Sequence, residues 1–265
     1  MTANKKYALI TGATSGIGYE LAKLFAKDQF NLVIVARSEE ELQKTSQELK
    51  QQYNVEVVTI AKDLFKREAP FEIYDEAKAK GIRVDVLVND AGQGEFGKFA
   101  ETDINRELDI IQLNIGAYVA LTKCFLKDMI QGKDGKILNV GSIAGEAPGP
   151  WQSVYHGTKA FVNSWTEAIR NELKDTGVSV TCLLPGTTDT DFFNKADMES
   201  SKLVQEGKMA DPATVAKDGY DALLAGEGSI ISGFKNKMMV GMGKVLPDSI
   251  SAEQMNKQQA PADKK

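Results

Sequence analysis

Residues 7–18 read Tyr7-Ala8-Leu9-Ile10-Thr11-Gly12-Ala13-Thr14-Ser15-Gly16-Ile17-Gly18, a short apolar run that breaks into glycines. A helical pattern follows to about Lys27. So a strand enters a glycine-rich turn and a helix leaves it. Glycine lets the backbone approach a ligand closely, and a helix N-terminus offers free N–H groups and positive dipole to an anion. The spacing is G-x-x-x-G-x-G rather than G-x-G-x-x-G. Its position on the first strand-turn-helix of an alternating chain makes it a phosphate cradle rather than a bare turn.

The alternation continues outward from this turn. Strand-like runs rich in Val and Ile stand at 7–10, 32–35, 55–60, 84–88, 137–140, 178–184 and 230–231. They are apolar throughout, as strands covered on both faces must be. Helical segments separate them. Ser38 with Glu41 reads as a capping box for a helix to about Gln52, and Asp211-Pro212 as the start of another. Long helices are predicted over about 105–130 and 153–173. The reading is an α/β fold: a Rossmann-like, doubly wound, mainly seven-stranded parallel sheet with helices on both faces. Residues 1–250 are read as one domain. Residues 251–265, polar and holding Pro261, are read as a flexible tail.

Composition narrows the function. The 265 residues are 42% hydrophobic and 26% charged, with a net charge of −5. That balance argues against nucleic acid and anionic membrane surfaces as partners. Cys124 and Cys182 have no metal-ligand spacing and His156 is the one histidine, so no metal is expected. No run is long enough to span a membrane and no apolar leader precedes Tyr7, so the expected location is cytoplasmic. Gly92 to Phe99 mimics a triphosphate loop, but Phe99 stands where a magnesium-binding hydroxyl is required.

The motif order resembles the short-chain dehydrogenase/reductase family in its single-domain branch. Thr11–Gly18 matches its first turn, Asn89-Asp90-Ala91-Gly92 its post-strand motif, and Ser142 its serine. Tyr155 with Lys159, and Pro185-Gly186, follow in the family's order. The match runs from about 5 to 235. Asp90 departs from it, replacing an Asn and losing an amide donor.

Tyr155 and Lys159 are four apart on a predicted helix and share a face. Tyr19/Lys23 and Tyr74/Lys78 have the same spacing, but only Tyr155 has a serine thirteen residues earlier, just past a strand. Reducing a carbonyl builds negative charge on its oxygen, which a positioned acid must neutralise. A phenol titrates near 10, and a neighbouring ammonium lowers it, which Lys159 is placed to do. Ser142 can donate to the substrate oxygen. The resemblance adds Asn114 as support for a water relay to Lys159. It also implies that Lys159 contacts the nicotinamide ribose, so Tyr155 and Lys159 border the cofactor too.

A serine hydrolase is the rival chemistry. It fails because Val140 and Ala144 stand where a nucleophile elbow needs glycines, and His156 points about 100° away from Tyr155. A catalytically silent NADP-binding regulatory protein is the non-enzyme alternative.

The second strand ends Val35-Ala36-Arg37-Ser38. An acid there would bind the 2′-hydroxyl of NAD; Ala36 and Arg37 instead suit the 2′-phosphate of NADP(H). The cofactor-binding set is therefore Gly12, Thr14, Ser15, Gly16, Ile17, Gly18 and Arg37. The resemblance adds Asp63 and Leu64 at the adenine, Asn89, Ala91 and Gly92 at the adenosine ribose, and Pro185, Gly186, Thr188 and Thr190 at the nicotinamide amide. Ser142, Phe192, Phe193 and Trp151 are candidate substrate contacts, and the expected substrate is an apolar ketone or aldehyde. Ile104, Leu108, Ile111, Ile115, Val119 and Phe125 exceed what one sheet face needs. The resemblance pairs these helices between subunits, which implies a homodimer or homotetramer.

Overall fold

Strand β1 (Tyr7–Thr11) lies in the middle of the sheet, paired in parallel with β2 (Asn31–Ala36) and β4 (Val84–Asn89). The computed structural model describes residues 6–243 and 245–262. The other strands are β3 (Val57–Ala61), β5 (Gly135–Val140), β6 (Val178–Leu184) and β7 (Ser229–Ile231). All pairings are parallel, in the order β3-β2-β1-β4-β5-β6-β7. All seven apolar runs became strands, in the doubly wound architecture read from the sequence.

The period-2 geometry of the strands divides the core into two layers. Ala8, Ile10, Leu32 and Ile34 face one layer, with Leu21 and Phe25 of helix α1 (Gly16–Lys27). Leu42 of α2 (Glu39–Tyr53) joins that layer. Leu9, Val33 and Val35 face the other, which holds Ile73 of α3 (Ala69–Ala79). These side chains are completely buried, worth about 1.5–3 kcal/mol for each large aliphatic one. The strand order reverses between β1 and β4, and that reversal opens a crevice at the strands' C-terminal ends.

The 105–130 segment is not one regular helix. Helix α4 (Ile104–Ile111) passes into a π-helical turn over Gln112–Gly116, and α5 (Ala117–Gly132) continues from it. Helix α6 (Ser153–Glu172) carries Tyr155 and Lys159. Short helices α7 (Phe192–Lys195) and α8 (Lys202–Glu206) follow β6, and α9 (Pro212–Ala225) starts at its Asp211 cap as read.

The last segment corrects the sequence reading. Helix α10 (Phe234–Gly243) is followed by α11 (Asp248–Gln259), where a flexible tail was expected from 251. Trp151 Nε1 donates to Asn256 Oδ1 at 2.7 Å, and Lys202 N donates to the Ala260 carbonyl at 3.0 Å. Residues 263–265 lie outside the described part. No helix among the described residues is long and apolar enough to cross a membrane.

Candidate active site

A cavity of about 1010 Å³ follows the crevice from the glycine turn to the C-terminal helices. At one end stands α1. Ser15 precedes it in extended conformation without capping it through its side chain, and no acid lies in its first turn. Apart from that of Gly18, which bonds the Asp90 carboxyl, its first N–H groups are thus left for an external anion. Gly12 (φ +71°) and Gly16 (φ +57°) both occupy left-handed backbone. A Cβ on Gly16 would lie 2.9 Å from Thr190 Cγ2. This is a cradle kept open by absent side chains, and it fits the phosphates of a dinucleotide.

Thr14, Ser15, Ile17, Arg37, Asp63 and Leu64 line the same end of the cavity. Phe65, missed in the sequence, lines it too, with the Arg37 guanidinium 5.3 Å from its ring centre. Ala91, Gly92, Pro185, Gly186, Thr188 and Thr190 line the middle. Gly18 and Asn89 stand behind the wall. A Cβ on Gly18 would sit 2.5 Å from Asp90 Oδ2, so this glycine lets the helix close on the β4 loop. Asn89 is fully buried in the sheet and donates to Asn139 Oδ1 and Thr122 Oγ1.

Ser142 follows β5 and Tyr155 stands in the first turn of α6. The Ser142 hydroxyl hydrogen-bonds the phenol and lowers its pKa, but burial dominates and pushes it up to about 12. The sequence argument expected an ammonium to set this value. Lys159 Nζ instead donates to the Val140 carbonyl at 2.8 Å and lies 5.9 Å from the Tyr155 ring centre. Its own pKa is brought down to about 8 by burial, against the opposing pull of the Asp90 charge.

The two decoy pairs keep similar spacing but not the environment. Lys23 lies 5.2 Å from the Tyr19 ring and Lys78 lies 5.8 Å from the Tyr74 ring. Both phenols are tied to carboxylates, Tyr19 to Glu48 and Tyr74 to Asp128. Burial, and after it those bonds, raises the pKa of both phenols.

Asn114 sits inside the π turn, completely buried. It accepts from Gln93 N at 3.0 Å and donates to Gln93 O at 2.9 Å and Thr158 Oγ1 at 3.0 Å. A Cβ on Gly92 would lie 3.3 Å from Asn114 Oδ1 and 3.5 Å from Lys159 Nζ, so Gly92 lets the two approach each other. A widened turn at a functional side chain is a recurring device.

Phe192 and Phe193 line the substrate end, and Phe192 packs on Tyr155 with ring centres 5.0 Å apart. Trp151 does not line it. Its backbone has φ +71°, and its ring stacks on Phe96 outside the cavity. In its place stand Gln152 and residues of the two C-terminal helices, Met239, Met242, Met255 and Gln259 among them. His156 is committed elsewhere: Nδ1 pairs with the Ala147 carbonyl and Nε2 with Gln259, both at 2.9 Å. No hydrolase pairing with Ser142 forms.

Residues 6–200 match the family described as short chain dehydrogenase. The chain is 38% identical over 186 residues to sulfoacetaldehyde reductase 2 of Chromohalobacter salexigens, covering 69% of this chain and 73% of that protein. It is 36% identical over 177 residues to a very-long-chain 3-oxoacyl-CoA reductase of Coprinopsis cinerea, covering 66% of this chain. It spans about half of that relative's length, 52%. Among solved structures, a short-chain dehydrogenase of Sphingobium yanoikuyae in complex with NADPH superimposes with a TM-score of 0.81 at 25% identity, covering 91% of this chain and 96% of that one. A 7β-hydroxysteroid dehydrogenase gives 0.84 at 26% identity, covering 95% and 96%.

Proposed function

The chain belongs to the short-chain dehydrogenase family, and on that premise we propose that it is an NADP(H)-dependent oxidoreductase acting on the carbonyl of an apolar ketone or aldehyde. One observation carries the reading. The hydrogen-bonded Ser142–Tyr155 pair, with Lys159 buried beside it, lies in one cavity with the uncapped N-terminus of α1 and with Arg37.

A bound nicotinamide would supply the hydride. Gly12, Thr14, Ser15, Gly16 and Ile17 at the α1 N-terminus would hold the phosphates, and Arg37 would take the 2′-phosphate. Pro185, Gly186, Thr188 and Thr190 would border the nicotinamide. Ser142 donates a hydrogen bond to the substrate carbonyl oxygen. Tyr155 gives that oxygen its proton as negative charge builds there, so the C=O becomes CH–OH, and Tyr155 is reprotonated from solvent. Lys159 places a positive charge beneath the reacting groups, and Asn114 holds the Gln93 backbone and α6 in register. Phe192 and the C-terminal methionines give the apolar walls.

The assembly reading is a two-fold homodimer through α4. Ile104 and Leu108 are more than half exposed and, with Ile111, form a stripe at helical spacing. Phe125, expected on that stripe, is buried in the core. A cytoplasmic setting fits the free thiols of Cys124 and Cys182.

The test is a panel of apolar carbonyls with NADPH, read by loss of the reduced-nicotinamide absorbance. Tyr155→Phe should bind NADPH as wild type does and lose about 10²–10⁴-fold in turnover. Lys159→Ala should lose both. Substantial turnover by Tyr155→Phe would overturn the mechanism.

A further inference from the structure

Helix α10 is apolar on two opposite sides. Met239, Val240 and Met242 line the cavity. Phe234 and Met238, four apart and so on one face, do not line it, and they are 76% and 51% exposed. Val245, just past the helix, is 82% exposed, and Ile250 at the start of α11 is 45% exposed. A helix that is apolar all round is normally covered all round. The described residues leave the outer side of α10 open to bulk solvent.

The charge of this stretch differs from that of the chain. Ser232 to Pro247 holds Lys235, Lys237 and Lys244 and no acid, in a protein whose net charge is −5. The acids that set the total stand elsewhere, so the balance that argued against anionic surfaces does not describe this face. Lys235 and Lys237 lie near the N-terminus of α10, where cations oppose the helix dipole and no acid of the first turn offsets them. Neither is in an ion pair among the described residues. A layer of external anions would relieve that arrangement.

The choice of occupant follows from these charges. Two-fold pairing of α10 with its copy would gather the lysines of both chains around one axis, like charge near like. A bilayer surface carries no such penalty. Anionic headgroups take the lysines, while Phe234, Met238 and Val245 reach the boundary of the acyl chains. Leu246 of the same stretch lines the cavity, so docking here turns that end of the cavity towards the lipid.

We propose that the segment from Phe234 to Ile250 is a membrane-docking surface that seats the protein peripherally on anionic phospholipid, without crossing the bilayer.

The experiment co-sediments the full chain with vesicles of phosphatidylcholine containing phosphatidylglycerol, and with vesicles of phosphatidylcholine alone. Binding to the anionic vesicles should be about tenfold tighter, and should weaken as ionic strength rises from about 0.05 to about 0.5 M. Phe234→Ser combined with Val245→Ser removes apolar contact at two positions that are mostly in solvent, and should lower partitioning about tenfold. Lys235→Gln combined with Lys237→Gln should reduce the preference for the anionic vesicles. Both double variants should keep the wild-type Tm and the wild-type turnover of a water-soluble ketone with NADPH. Wild-type protein that stays in the supernatant with anionic vesicles would overturn the proposal. So would variants that sediment as well as wild type, since the contact would then lie elsewhere. A fall in the light-scattering mass of the Phe234→Ser/Val245→Ser protein without vesicles would assign this face to a second copy instead, and overturn it as well.

Discussion

Gln259, at the end of α11, donates its amide to Nε2 of His156, the residue beside the catalytic tyrosine, at 2.9 Å across 103 residues of sequence. The other ring nitrogen, Nδ1, faces the Ala147 carbonyl and so carries the proton. The catalytic helix and the C-terminal helix are thus joined through a neutral imidazole.

Burial lowers the His156 pKa, with backbone hydrogen bonds opposing. The unfolded chain then binds a proton more readily than the folded one between the folded and unfolded values. Stability is therefore complete above about 6.5 and is lost as pH falls below it. The Tm difference between wild type and His156→Gln isolates this contribution, and the wild type should lose ground against the variant as pH falls from 8 to 5.5. Gln259→Ala should raise KM for the carbonyl more than for NADPH, because Gln259 lines the substrate end. An unchanged pH slope in His156→Gln would sink the argument.

Arg37 should decide cofactor preference. It lines the cavity beside Phe65, and among the described residues no ion pair occupies it. A charge-assisted contact to the 2′-phosphate is worth about 1.5–3 kcal/mol. Arg37→Ala should therefore lose about 10–150-fold in kcat/KM with NADPH and little with NADH. Wild-type enzyme that uses NADH equally well would refute this.

How much of this was readable from the sequence depends on which force shaped each part. The strands were legible because burial on both faces demands unbroken runs such as Leu32–Val35. The Tyr155–Lys159 pair was legible through Ser142 and the order of motifs. Asn114 was legible only through the family resemblance, because a π turn leaves no periodic mark and its partners Gln93 and Thr158 are distant in sequence. Trp151 was misplaced, since its left-handed backbone turns the ring away from the cavity and nothing in the residue type announces that. Helix α11 was missed for a similar reason. It has no apolar stripe, and what docks it are polar contacts made by Asn256, Gln259 and Ala260.

The α4 stripe carries the assembly prediction. Ile104, Leu108 and Ile111 are 58%, 54% and 38% exposed. Light scattering at micromolar concentration should give a dimer, and Leu108→Glu, which places a charge on the stripe and in its copy, should give a monomer. A monomeric wild type would overturn the pairing.

Asp90 supplies the last prediction. Where the family carries an amide, this chain holds a carboxyl wedged beneath the glycine turn, 3.0 Å from the position a Cβ on Gly12 would take and bonded by the Gly18 N–H. Burial pushes it up to about 7, while the Lys159 charge and the Gly18 N–H pull it down. Lys159, brought down to about 8, is held charged in part by that same carboxylate. Between these values both groups are charged, and above about 8 the lysine loses its proton. The kcat/KM for carbonyl reduction should therefore fall as pH rises through about 8. Asp90→Asn removes the charge that favours the ammonium, so its alkaline limb should move to lower pH. The stability sign is opposite to that of an ordinary ion-paired carboxylate. A carboxyl raised on folding binds its proton more tightly in the native state, so its contribution is present at low pH and is lost as pH rises through about 7. Asp90→Asn should accordingly melt at a higher temperature than wild type at pH 8, with the gap closing toward pH 5.5. A limb that stays in place or moves upward would show that Asp90 and Lys159 are not coupled.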